Sequence, residues 1–309
     1  MKGLATADSL RSLKALADAT RLRLFRLGRA FELNVNEIVE TLGMGQSRIS
    51  RHLKILSEAG LLTSRRDGMW TFYRASTEGP AARLAEAIGD GDRGVFAQDL
   101  ARARRIQNDR NRESRRFFDA VAGDWREMKR ALIGEAPLDA FILRHIPRCS
   151  VAADLGCGSG DLLPILRKKA GRVIGVDRAP RMLDEARRRH LADSRRGTLE
   201  LRRGELERLP LRDGEVDCAV ICLALHHLPD PGRGIAEAAR ILKPGGALVV
   251  VEWSAHRDET LRSRFQDRWL GFEAGTLEKW LTGAGLNVQT KTTLALPTGL
   301  KILLFRGRK

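Results

Sequence analysis

Apolar positions over the first 76 residues recur at helical spacing, and the pattern then changes to a hairpin. Leu10, Leu13 and Leu16 share a face of a helix over Ser9 to Ala17. Leu22, Leu24, Phe25 and Leu27 mark a second helix that Asp18 can cap. Ile38, Val39 and Leu42 mark a third, with Asn36 as its cap. Gly43-Met44-Gly45 then turns into a fourth, Gln46 to Ala59, with Ile49, Leu53 and Leu56 inward and Gly60 as its stop. Leu61 to Arg74 predicts a hairpin turning at Asp67-Gly68. Helical periodicity returns over 81–88 and from Val95 to Trp125, with Gly89-Asp90-Gly91-Asp92-Arg93-Gly94 as the break between them. Phe96, Leu100, Ile106 and Phe117 or Phe118 are the apolar positions of the longer stretch.

Further on, short apolar runs alternate with helical stretches. The strands predicted are Val151 to Ala153, Arg172 to Val176, Leu199 to Arg203, Val216 to Leu225 and Ala247 to Glu252. Between them fall helices at Leu162 to Leu166, Pro180 to Arg189 and Ile235 to Leu242. Val288 to Leu294 and Leu300 to Phe305 close the chain as an antiparallel edge. Strand–helix alternation at this pitch predicts a doubly wound, Rossmann-like parallel sheet whose ligand lies at the strand carboxyl ends. The fold class is thus mainly α followed by α/β. The domains expected are 1–93, a winged helix-turn-helix; 94–130, a helical connector; and 131–309, a seven-stranded α/β domain.

Chemistry concentrates in Asp154-Leu155-Gly156-Cys157-Gly158-Ser159-Gly160-Asp161, a glycine turn between the first of these strands and its helix. Glycine has no Cβ and tolerates positive φ, so the backbone there can approach a ligand closely. The spacing is Gly-x-Gly-x-Gly behind an acid, not the Gly-x-Gly-x-x-Gly of dinucleotide folds. The next strand ends in Asp177, about 20 residues beyond the first glycine, where an acid suits ribose hydroxyls. The loop alone leaves open a dehydrogenase cofactor or no ligand. The context narrows this: Phe117 to Trp125, Gly204-Glu205-Leu206, His226-His227-Leu228-Pro229-Asp230 and Lys243-Pro244-Gly245-Gly246 resemble the class I S-adenosylmethionine (SAM)-dependent methyltransferases of the type 11, UbiE-like group. The resemblance covers about Phe117 to the end of the chain. It implies a cofactor set of Asp154, Gly156, Cys157, Gly158, Gly160, Asp177, Arg178, Met182, Glu205, Leu206, Cys222 and Leu223. In it Glu205 accepts from the adenine amino group, the Leu206 backbone meets the ring, and Phe118 or Trp125 covers the cofactor. His226, His227 and His256 lie just past strand ends and are the candidates for a base that takes an acceptor's proton.

In the amino-terminal part, two helices joined by a glycine turn, the second rich in donors, form a helix-turn-helix. Gln46, Ser47, Arg48, Ser50, Arg51, His52 and Lys54 are the predicted DNA-facing residues, with Arg65, Arg66 and Arg74 making the hairpin a basic wing. Leu16-Ala17-Asp18-Ala19-Thr20-Arg21-Leu22 and Ser50-Arg51-His52-Leu53-Lys54-Ile55-Leu56-Ser57-Glu58-Ala59-Gly60-Leu61 resemble the ArsR family of winged helix-turn-helix repressors. That resemblance implies a homodimer on double-stranded, palindromic operator DNA. Metalloid sensors of the family carry a Cys-x-Cys pair after Glu-Leu; here Glu32-Leu33 precedes Asn34-Val35-Asn36, so that effector site is missing. A winged helix serving only dimerisation or protein contact is the bland reading.

Composition adds limits. Lys and Arg outnumber Asp and Glu by 55 to 39 over 309 residues, a net charge of +16, so an acidic partner is expected. The excess is spread along the chain and does not locate a DNA-binding face. The arginines from Arg102 to Arg116 read as a solvated helix or a DNA-binding arm. Cys149, Cys157, Cys218 and Cys222 form neither a disulfide framework nor a zinc pair, and no metal site is read. No secretory or membrane-spanning segment is expected, which fits the cytoplasm. The chain resembles fused ArsR–methyltransferase proteins, some of which act as repressors responsive to S-adenosylhomocysteine (SAH). The expected function is a DNA-binding regulator with SAM or SAH as effector; the alternative is a working methyltransferase on a small-molecule acceptor, with DNA binding for autoregulation.

Overall fold

The computed structural model describes residues 6–88, 94–190 and 198–309. The glycine-rich break at 89–93 and the boundary expected after residue 93 lie outside them. The chain forms two compact units, Met1–Asn111 and Arg112–Lys309.

In the first unit, α1 (Thr6–Leu16), α2 (Ala19–Ala30), α3 (Val35–Leu42) and α4 (Gln46–Glu58) pack over a sheet of β1 (Leu33–Asn34), β3 (Trp70–Ala75) and β2 (Leu62–Asp67), in that spatial order. Leu24, Phe25, Leu27, Ile49, Leu53, Leu56 and Leu61 are its core. Helix α1 turns Ser12 and Ala15 inward, so Leu10 and Leu13 are 51% and 53% exposed. Asp18 caps α2 as expected, accepting from the Arg21 N–H at 2.9 Å. The cap of α3 is Asn34 rather than Asn36. Asn34 Oδ1 accepts from the Glu37 N–H at 3.0 Å while Glu37 Oε2 accepts from the Asn34 N–H at 2.9 Å, and only Asn34 has an acid three residues on. The hairpin tip also shifts by one residue. Asp67 pairs with Trp70, leaving Gly68-Met69 as the loop, with glycine (φ 59°) at the first central position as a type II′ turn requires.

Helix α5 (Gly79–Ile88) follows, and α6 (Val95–Val121) begins in the first unit, where Arg23 holds Asp99 at 2.6 Å. The helix expected to reach Trp125 stops at Val121. Ala122-Gly123-Asp124 form a turn, and a new helix, α7 (Trp125–Ile133), starts there. The two units divide after Asn111, within α6.

The second unit continues with α8 (Leu138–Leu143), β4 (Cys149–Leu155), α9 (Leu163–Arg167), β5 (Ala170–Asp177), α10 (Pro180–His190), β6 (Leu199–Arg203) and β7 (Val216–Cys222). It ends with α11 (Pro231–Ile241), β8 (Leu242–Trp253), α12 (Thr260–Phe265), α13 (Ala274–Gly283), β9 (Asn287–Ala295) and β10 (Lys301–Arg308). The sheet runs β6-β5-β4-β7-β8-β10-β9. Its first five strands are parallel, and β10, one in from the edge, is antiparallel to both neighbours. Strand β7 ends three residues earlier than its apolar run suggests, because Leu223 takes φ 52° and Leu225–His227 form a 3-10 turn. Central strands are buried on both faces, which explains their continuous apolar sequence. The order reverses between β4 and β7, so β4, β5 and β7 open a crevice at their carboxyl ends. No helix among the described residues is long and apolar enough to cross a membrane.

Candidate functional site

The crevice holds a cavity that opens to solvent, about 960 Å³ with its open mouth included. Its floor is the turn after β4. Gly156, Gly158 and Gly160 all have positive φ (79°, 51° and 84°). A Cβ on Gly156 would meet the Ala224 Cβ at 2.8 Å, so the backbone passes directly under the loop that follows β7. Gly160 faces elsewhere: its Cβ would strike Leu163 at 2.7 Å and His190 at 2.8 Å, so it lets α10 approach the turn. The N–H groups of Gly156 and Cys157 both reach the Val176 carbonyl, at 2.8 and 2.9 Å, tying the turn to β5.

At the end of β5 the Asp177 carboxylate accepts from the Gly158 N–H and the Ala179 N–H, both at 2.8 Å. Burial raises its pKa while those amides lower it, and the net shift is upward. The carboxylate is thereby fixed, with lone pairs left for a ligand hydroxyl. Asp154 sits beneath the turn, 2% exposed, and its Oδ2 has no hydrogen-bond partner. Burial pushes its pKa to about 7, against the pull of Lys129. Lys129, on α7, lies 3.6 Å from Asp161 and lines the cavity.

Of the expected cofactor residues, Gly156, Cys157, Gly158, Asp177, Arg178, Met182, Glu205, Leu206, Cys222 and Leu223 line this one cavity, and Asp154 and Gly160 support it from outside the lining. Arg178 is tethered to the Ser114 hydroxyl at 2.6 Å. Burial drives the Cys222 thiol up to about 12, so it remains protonated at neutral pH and acts as an apolar wall. Phe118, Trp125 and Phe265 line the same cavity. Phe118 meets Trp125 edge-on at 5.2 Å, and Trp125 meets Phe265 at 6.3 Å.

The far wall carries His226, His227 and Asp267. Burial alone would lower the His226 pKa, but Glu252 and Asp267 override it and raise the group to about 9. His227 goes the other way. Burial, then His226 and Arg178, holds it well below the ordinary 6.5, so it is neutral near pH 7. His256 does not line the cavity; its Nδ1 accepts from the Asp258 N–H at 3.2 Å. No motif in the sequence marks Lys129, Phe265 or Asp267. The charge and aromatic character of each is commonplace, and only the fold brings α7 and the loop after α12 to the crevice.

On the first unit, Gln46, Ser47, Arg48, Ser50, Arg51 and Lys54 are exposed along α4. His52 departs from this face: its side chain is 12% exposed and its ring lies 3.9 Å from Asp18. Burial, opposed by Asp18, lowers its pKa. Arg66 and Arg74 are exposed on the wing, whereas Arg65 is drawn inward to Glu32 at 3.4 Å and over the Phe72 ring.

Comparison with known proteins agrees with this division. Residues 18–64 match the model described as bacterial regulatory protein, arsR family, and residues 153–250 match the methyltransferase domain model. The chain therefore joins an arsR-type helix-turn-helix to a methyltransferase domain, a domain class whose cofactor is SAM and whose product is SAH. A 37.1 kDa protein in transposon Tn4556 of Streptomyces fradiae is 44% identical over 104 residues, 33% of this chain and 29% of the relative. The ubiquinone/menaquinone biosynthesis C-methyltransferase of Methylococcus capsulatus is 31% identical over 158 residues, 49% of this chain and 64% of the relative. The chain thus spans less than two thirds of the relatives it matches. Among solved structures, a SAM-dependent methyltransferase from Aquifex aeolicus superposes with a TM-score of 0.50 at 18% identity, over 62% of this chain and 97% of that one. A complex of the Haloferax volcanii Trm112 methyltransferase activator with a methyltransferase gives 0.50 at 24%, over 62% and 96%. These likenesses establish the fold.

Proposed function

We propose that the protein is a homodimeric transcriptional regulator in which SAM or SAH, bound in the crevice of the second unit, sets the affinity of the first for operator DNA. The observation that carries the reading is the convergence of the glycine turn, Asp177, Glu205 and Leu206 on one cavity, in a chain that also presents α4 with six polar or basic residues exposed. In this reading the ribose hydroxyls bond to Asp177, the adenine lies between Met182 and Leu206 with its amino group toward Glu205, and the amino-acid end rests on Gly156 to Gly158. Asp154, buried with an unpartnered oxygen just outside the lining, supports the turn on which that end rests. Gln46, Arg48 and Arg51 read bases or phosphates, with Arg66 and Arg74 on the flanking backbone. Arg65 supports the wing from within. Exposed Leu10 and Leu13 supply apolar surface for a second copy. The domains run as a winged helix-turn-helix, a helical connector and a SAM-binding domain.

An effector acts only through a difference in affinity between two states, and a coupling of about 1–3 kcal/mol changes DNA affinity roughly 5–150-fold. The test is a fluorescence-anisotropy titration of operator DNA at fixed salt with no ligand, SAM or SAH. The account expects the isotherm to shift with at least one ligand. Superimposable isotherms refute it.

One observation favours catalysis as a second reading. His227, neutral near pH 7, and Asp267 line the same cavity, where either is placed to take up a proton from a protic acceptor. Methyl transfer from a sulfonium is an in-line displacement accelerated mainly by holding the two partners in line. Transfer of labelled methyl from SAM to a small molecule, lost in His227→Gln, would establish it. Absence of transfer to any component of a cell extract would leave the effector role alone.

A further inference from the structure

The far wall of the cavity has a feature that neither cofactor binding nor DNA binding uses. One ligand atom each of His226, His227 and Asp267 lies within 4.8 Å of the others. The two histidines come from the 3-10 turn after β7 and the aspartate from the loop after α12. His226 is oriented from behind. Glu252, fully buried, takes the His226 Nδ1 at 2.7 Å, and the same carboxylate accepts from the Leu225 N–H at 2.8 Å and the Trp253 N–H at 2.9 Å. The ring therefore directs Nε2 at Asp267 Oδ1, 3.6 Å away, and Asp267 Oδ1 lies 3.9 Å from the Nδ1 of His227. That Nδ1 also lies 3.3 Å from the Gln266 carbonyl, a bond an ion would have to displace unless His227 offers Nε2. A carboxylate behind an imidazole is the usual support of a metal-bound histidine.

With bonds of about 2.0–2.2 Å, neighbouring ligands on a four- to six-coordinate transition metal sit roughly 3–3.5 Å apart. The three ligand atoms lie within 4.8 Å of one another, so binding an ion draws them inward. Two buried carboxylates, Asp267 among the three ligands and Glu252 behind His226, offset the charge of a dication. The backbone is strained on both sides of it. Leu223 (φ 52°) and Gln266 (φ 59°) are the left-handed non-glycine residues among those described; Leu223 lines the cavity and Gln266 directly precedes Asp267. Such conformations persist where the surrounding structure holds a functional group in place.

We propose that His226, His227 and Asp267 bind one divalent transition-metal ion, with a coordination position open to the cavity that all three line. Two imidazoles and one carboxylate suit Zn²⁺, Fe²⁺, Co²⁺ or Ni²⁺ rather than the all-oxygen sites of Ca²⁺ and Mg²⁺. The open position takes water or an oxygen of whatever occupies that end of the cavity. The site needs neither SAM nor DNA and so stands independently of the effector reading; it shares His227 and Asp267 with the catalytic reading, and metal content rather than methyl transfer tells the two apart.

The test uses the tag-free full chain, stripped with a chelator, reloaded with Zn²⁺ or Co²⁺ and desalted. The account expects one Zn²⁺ per chain by elemental analysis. In Co²⁺-loaded protein it expects a visible d–d spectrum without a thiolate charge-transfer band. His227→Gln and Asp267→Asn should each weaken Zn²⁺ binding at least about tenfold, with Cys149→Ser as wild type. No stoichiometric metal, a thiolate band, or full retention in folded His227→Gln and Asp267→Asn overturns the proposal. Circular dichroism confirms folding of each variant, and the wild-type Co²⁺ spectrum decides if a variant fails to fold.

Discussion

Gly156 and Gly160 occupy the same turn and serve different neighbours. An alanine at Gly156 meets Ala224 and must hold φ 79°, which shifts the surface on which the ligand rests. An alanine at Gly160 collides with α10 instead. Gly156→Ala is expected to weaken SAH binding about tenfold or more by isothermal calorimetry, whereas Gly160→Ala is expected chiefly to lower stability by about 1–3 kcal/mol in a melt. Asp154 adds a pH signature. Its folded pKa, about 7, is above its ordinary 3.8 because burial favours the protonated acid. That contribution is full below about pH 4 and is lost as the pH rises through 7. The ligand-free protein should therefore melt lower at pH 8 than at pH 5, and Asp154→Asn should narrow the gap. An unchanged gap would remove Asp154 as its source. At this scale the sequence displayed what a motif fixes locally, such as the glycine turn and Asp177. It did not display Asp267 or Lys129, whose positions depend on distant elements, nor that His52 turns toward Asp18.

At the scale of elements, α3 and α4 show how much local pattern determines. The Asn34–Glu37 box is an Asn-x-x-Glu pattern, whereas the apolar spacing of Ile38, Val39 and Leu42 by itself points to Asn36. Asn34→Ala is expected to cost about 1 kcal/mol in a chemical melt of the chain, and Asn36→Ala much less. The strands of the large sheet were legible because burial on both faces leaves unbroken apolar runs. The stop at Val121 was not, since apolar spacing continues to Trp125 and only the Gly123-Asp124 pair marks the turn. Along α4 and the wing, Arg51→Ala should weaken operator retention without altering SAH affinity. Arg66→Ala should lower the slope of log affinity against log salt by about 1. Arg65→Ala should instead lower the melting temperature, because that side chain packs against Glu32 and Phe72.

For the whole molecule, the charge of +16 favours nucleic acid in general and carries no sequence information, so any control by ligand must enter through the equilibrium between conformations. Linkage makes that control reciprocal: a ligand that changes operator affinity by some factor must bind the DNA complex differently from the free protein by the same factor. The most direct test is calorimetry of SAH, and of SAM, with the ligand-stripped chain alone and with the chain saturated by operator DNA at one salt concentration. The account predicts that at least one ligand has dissociation constants differing roughly 5–150-fold between the two forms, matching its shift in DNA affinity. Equal constants for both ligands, or no uptake of either, would contradict it.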